Sequence, residues 1–227
     1  YPKKSAVYAY NYIHHLENAG AGYSLRILDG SEDGMSNIYI YANKLEQYGG
    51  TGTVIIIVPD PGFVGINDVL VQGNFILDTN STDVGRIAIG PGAMKRLSVK
   101  NNLVYGFDNI VQFNTFNSNN AEFDAFHNSL YNPSGGNFLT SSTGNGFPFV
   151  RVINNAAHKG SGTAVKNNGT NVQLATTVIH GNKYLGSIDS FLIGPGSGVL
   201  YNSSTWMATK AASPYFNSEI NERIDPQ

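Results

Sequence analysis

Cysteine is absent from the 227 residues, which excludes a disulfide framework and any thiolate metal site. Charge is scarce as well: 13% of residues are charged and the formal net charge is -2. A nucleic-acid binder would carry a basic patch or stripe, so that class is set aside. Long apolar runs are missing. The longest, Val54 to Val58, is far too short for a membrane span. Helix formers such as Lys, Glu and Ala do not dominate, which argues against a helical bundle. The chain opens at Tyr1 with neither an initiator Met nor a signal peptide, and is expected to be a processed form or an excised fragment.

What is present points to turns and strands. There are 26 Gly, 13 Tyr and 12 Phe, with abundant Asn, and 41% of residues are hydrophobic, enough to build the core of one large domain. Low charge with many Asn, Ser, Thr and Tyr fits an extracellular or surface-exposed protein, whether secreted, in an appendage or in a virion. Asn80-Ser-Thr, Asn168-Gly-Thr and Asn202-Ser-Ser match the N-glycosylation pattern, which an Asn-rich chain also produces by chance.

The asparagines recur in register. Val99-Lys100-Asn101-Asn102-Leu103-Val104 has counterparts around Asn74, Asn128, Asn155 and Asn182, at steps of 28, 26, 27 and 27 residues. Looser steps of 31 and 32 add Asn43 and Asn11. A fixed period of this size marks stacked units, none of which can bury its apolar face alone. Three residues before each Asn stand Tyr8, Ile40, Val71, Val99, Ala125, Val152 and Ile179. Two residues after it stand Ile13, Leu45, Ile76, Val104, Leu130, Ala157 and Tyr184. Both columns are apolar throughout, so each Asn joins two short strands that bury one face each. Asn tolerates the left-handed backbone conformation, and is expected to adopt it at this corner. Successive Asn amides can then hydrogen-bond as a ladder. A third strand follows, with Val111, Phe138, Val165 and Leu192 at intervals of 27. Gly/Pro turns such as Gly90-Pro-Gly92 and Gly194-Pro-Gly196 are expected to lead back to the next first strand.

Three short strands per repeat, joined at an asparagine corner, resemble the right-handed, pectin-lyase-like parallel β-helix superfamily. The resemblance covers roughly Tyr8 to Asn202. It implies an all-β, single-stranded right-handed parallel β-helix of about seven coils over residues 1–202; residues 203–227, which hold Trp206, Met207, Tyr215, Phe216 and Ile220, are expected to fold over the last coil as a C-terminal capping tail. Seven coils at about 4.8 Å each would make a rod of roughly 30–35 Å. The superfamily hosts lyases, hydrolases, epimerases, phage tailspikes and adhesins, so the fold alone names no activity. With no capping helix ahead of the first strand, its edge is expected to pair with an upstream segment or another subunit.

Outside the ladder, the candidates are few. Asp29, Ser31 and Asp33, followed by Gly34, resemble the first half of a calcium loop, with oxygen ligands at alternate positions. Ile40 stands where the closing Glu would be, so a solvated turn competes with calcium, and no cofactor is otherwise required. Three residues after the ladder Asn, Tyr105, Tyr131 and His158 should face outward as a strip of rings about 5 Å apart. Phe75, Leu77 and Leu103 enlarge it. Such a strip suits either the faces of sugar rings or burial by protein. Asp78, Asp83, Asp108 and Asp189 fall in variable loops, and no column repeats the paired carboxylates of a glycosidase. A polysaccharide lyase would need a base and a cation; Lys100, Arg151, Lys159, Lys166, His158 and Tyr105 are available, without a spacing that pairs them. Asp124 and Arg151 align in neighbouring repeats and read as a surface ion pair of small worth. The expected function is therefore a module of a surface fibre, adhesin or phage-tail-like assembly, homo-oligomeric or larger, contacting a polysaccharide, a cell-surface glycan or identical subunits. The alternative is a polysaccharide lyase or glycoside hydrolase.

Overall fold

In a computed structural model, the described residues are 5–16, 23–28, 34–48, 53–58, 65–78, 87–89, 94–106, 109–113, 122–132, 137–141, 148–159, 163–166, 177–185, 190–194, 199–201 and 223–225. They are all strand, bridge and turn, with no helix among them. The strands form three sheets, and each pass of the chain gives one strand to each in turn. The first sheet has seven strands: Ala6–Ala9, Ile38–Tyr41, Val69–Gln72, Arg96–Lys100, Glu122–Phe126, Phe149–Ile153 and Thr177–His180. The second follows each Asn, from Tyr12–Leu16 to Lys183–Leu185, and the third runs from Tyr23–Leu28 to Ser190–Gly194. Pairing in the first sheet is parallel, and equivalent residues of successive repeats stand side by side, as Val71, Val99, Ala125, Val152 and Ile179 do.

Period-two alternation decides what is inside. Ile40, Val71, Val99, Ala125, Val152 and Ile179 of the first sheet are buried, as are Leu45, Ile76, Val104, Leu130 and Ala157 of the second. With Ile27, Val54, Ile55 and Ile57 of the third sheet they form one apolar cluster. Tyr8 and Ile13, in the first repeat, are only partly buried against it.

The asparagines do form a ladder. From Asn11 to Asn155, the main-chain N–H and the side-chain Nδ2 of each both donate to Oδ1 of the next, at 2.8–3.0 Å. Nδ2 also donates backwards, to the carbonyl of the column residue one repeat earlier: Asn74 to Ile40, Asn102 to Val71, Asn128 to Val99. Each inner Asn thus ties three passes of chain together. All but Asn11 are buried, and burial is tolerable because every amide is paired.

The corner differs from expectation in one respect. The left-handed residue is the one before the ladder Asn: Tyr10, Ala42, Gly73, Asn101, His127, Asn154 and Gly181 all have φ between 53° and 63°. The ladder Asn turns its amide inward, and its predecessor makes the bend. Only at Gly181 would a Cβ collide, with Oδ1 of Asn154; at Gly73 the space is open. Ala42 has no side chain that offsets the left-handed strain, so Ala42→Gly should stabilise the protein by about 0.5–1 kcal/mol. A urea midpoint that falls instead would show that the strain is not there.

The parallel order ends at the third sheet. Val199–Tyr201 pairs antiparallel with Ser190–Gly194, so the strand after Gly194 stays in the third sheet and does not return to the first, contrary to the expectation for the Gly194-Pro-Gly196 turn. Four residues between the paired Gly194 and Val199 suit a hairpin, whereas a parallel return needs a crossover. Of the proposed tail, only Arg223–Asp225 is described, and it extends the second sheet in parallel beside Lys183–Leu185.

Candidate functional site

The outward residues of the first sheet hold the densest polar chemistry. Alternation turns Tyr39, Leu70, Arg96, Ser98, Lys100, Glu122, Asp124, Phe126 and Arg151 away from the core. All of these but Glu122 line a groove of about 600 Å3 that crosses five neighbouring strands. Asp124 lies on its floor, 3% exposed. Arg151 grips it as a fork, Nε to Oδ1 at 2.6 Å and Nη2 to Oδ2 at 2.8 Å, and Ser98 Oγ donates to Oδ2 at 3.3 Å. Arg96 Nε donates to Glu122 at 3.1 Å, and its Nη1 lies 3.4 Å from Asp68. The Arg96 guanidinium is held above its ordinary pKa, chiefly by the hydrogen bond to Glu122 and then by that carboxylate's charge. Lys100 Nζ and Arg151 Cζ both lie over the Phe126 ring, at 5.3 and 5.7 Å from its centre.

This corrects the reading of Asp124 and Arg151 as a surface pair. The carboxylate is buried and only the guanidinium, with its side chain 47% exposed, meets solvent. It is a bidentate pair with one foot in a low-dielectric floor, so removing Arg151 alone would strand a buried carboxylate.

On the second sheet, Tyr105, Tyr131 and His158 come together as a stack. Ring centres are 4.8 Å apart for Tyr105–Tyr131 and 4.9 Å for Tyr131–His158, with planes inclined by 13° and 11°. Those spacings equal the distance between strands, so the rings lie face on face along the direction in which strands succeed one another. Tyr131 stacks on both of its neighbours, while Tyr105 (44%) and Tyr131 (38%) remain exposed. Leu103 stands beside Phe75, and Leu77 beside Tyr105, by strand register. Leu103, Ser129, Ala156 and the rings of Tyr131 and His158 border an apolar trough of about 230 Å3.

In the same outward column, Glu46 is buried beneath Lys44, whose Nζ is 2.6 Å from Oε1, and Tyr12, whose hydroxyl donates to Oε2 at 2.7 Å. Asp29, Ser31 and Asp33 lie outside the described residues, as do Asp83, Asp108 and Asp189. Among the described residues, no three His, Asp or Glu side chains gather as a metal site.

No family model, curated protein or solved structure matches the chain. The groove and the stack therefore stand on their own geometry. The groove escaped the sequence reading because its column changes chemistry at every step: Tyr39, Leu70, Ser98, Asp124, Arg151. A search for one repeated residue type finds nothing there. Reading the positions two, four and six residues before each Asn together would have assembled Arg96, Lys100, Glu122, Asp124, Phe126 and Arg151.

Proposed function

We propose that the chain is a non-catalytic module of an extracellular surface fibre, adhesin or phage-tail-like assembly, and that it binds a polysaccharide along the outward face of its first sheet. The same proposal takes the three sheets as faces of one right-handed parallel β-helix of seven coils, of the pectin-lyase-like kind. Crossovers between parallel strands of one sheet are overwhelmingly right-handed, which supports that hand.

The observation that carries the binding role is the groove. It is open, runs across successive strands about 4.8 Å apart, and offers donors, acceptors and two rings, Tyr39 and Phe126, three strands from each other. A linear polymer rich in hydroxyl groups fits that pattern. The non-catalytic reading rests on the acids. Glu122 and Asp124, two residues apart on one face, are about 6.6 Å apart along the strand, within the span that glycosidases use. Yet both oxygens of Asp124 are held by Arg151, and Glu122 is held by Arg96, so both carboxylates are engaged by cations of their own sheet.

A glycan array followed by titration of the best ligand tests this. Phe126→Ala should weaken that ligand at least about tenfold, a loss of about 1.4 kcal/mol, since the ring would be removed from the centre of the groove. Assays of reducing ends and of absorbance at 235 nm should stay flat. Turnover that disappears in Asp124→Asn would overturn the non-catalytic reading and favour a hydrolase or lyase.

A further inference from the structure

The charges of the groove bear on which glycan it would take. Its deepest acid, Asp124, is covered by the cation that pairs with it, so this pair presents positive charge to solvent. Lys100 has no carboxylate partner among the described residues; its ammonium rests on Phe126. Arg151 approaches the same ring from the next strand. Two cations thus converge on one aromatic ring, and the guanidinium nitrogens Nη1 of Arg151 and Nη2 of Arg96 make no hydrogen bond among the described residues. An anion reaching both would accept charge-assisted hydrogen bonds from the Lys100 ammonium and the unused Arg151 nitrogen.

We infer that the centre of the groove, between Lys100 and Arg151 over Phe126, binds an anionic substituent of the glycan, a carboxylate or a sulfate ester. The inference rests on the glycan-binding reading and adds the class of ligand to it. Neighbouring sugar hydroxyls would meet Ser98, Asn37 and Tyr39 along the same face.

Matched polymers test it on the full chain: dextran against dextran sulfate, and alginate against carboxyl-reduced alginate, each at low and at physiological salt. The anionic member of at least one pair should bind about tenfold or more tighter than its neutral partner at low salt, and lose that margin as salt rises. Which pair responds distinguishes sulfate from carboxylate. Lys100→Gln should reduce the preference to about twofold, and Lys100→Arg should keep it. Lys183→Gln, a cation on the second sheet, should change nothing, which separates a built site from general attraction of polyanions. Circular dichroism of each variant checks folding. Equal binding of charged and neutral polymers, or a preference that survives Lys100→Gln, overturns the anion site and leaves glycan binding standing. Failure of every polymer and of the array overturns both.

Discussion

Replacing Asn102 by leucine should cost the fold about 4 kcal/mol or more, one of the largest losses a single change can produce here. The side chain accepts from both the N–H and the Nδ2 of Asn74, and donates to Asn128 Oδ1 and to the carbonyl of Val71. Leucine of similar size would leave the Asn74 donors and the Val71 carbonyl buried without those bonds, at about 1–3 kcal/mol each. The same substitution at Asn11 should cost about 1 kcal/mol, because that rung is exposed and water replaces what is lost. Urea unfolding of the two variants makes the comparison. Equal losses at the two positions would mean that the ladder is decoration on a core held by its apolar columns alone. Stacked repeats need not unfold in one step, so hydrogen exchange at Asn74 and Asn128 should accompany the midpoints.

Arg151→Met should destabilise by about 2–3 kcal/mol. The usual cost of stranding one partner of a fully buried pair is about 3–5 kcal/mol, and the half-exposed guanidinium lowers it because water reaches one side. The informative variant is the double one. Asp124→Leu with Arg151→Met removes both charges, and stability should return to within about 1 kcal/mol of the starting protein. A single substitution no worse than the double would show that Asp124 does not depend on Arg151. The two proteins also separate stability from binding, since the double variant should fold well and still lose affinity for an anionic glycan.

The sequence exposes what repeats and hides what does not. The ladder and both buried columns are legible because Asn102, Val99 and Val104 have equivalents in every repeat, and a one-residue slip would turn each apolar column to solvent. The bend before the ladder is less legible. Gly73, Gly181, Asn101 and Asn154 each suggest a left-handed residue, but Tyr10 and Ala42 share the position and conceal it. The hairpin at Val199–Tyr201 reuses the Gly-Pro-Gly spelling of earlier turns, so its reversal of direction carries no separate signal. The burial of Asp124 and Glu46 arises from partners a repeat away, Arg151 and Tyr12, whose long side chains fold over the acids. The ring strip is legible as a column, and its stacking follows from the strand spacing: the ring centres lie 4.8 and 4.9 Å apart.

One experiment reaches the central claim, that the first sheet's outward face holds a glycan without cleaving it. The chain is incubated with its tightest array ligand, then read by hydrogen exchange and by the size of the recovered glycan. Protection should concentrate in Arg96–Lys100 and Glu122–Phe126, with the glycan at its original length. Protection confined to the second sheet around Tyr131, or a shortened glycan, would contradict the account.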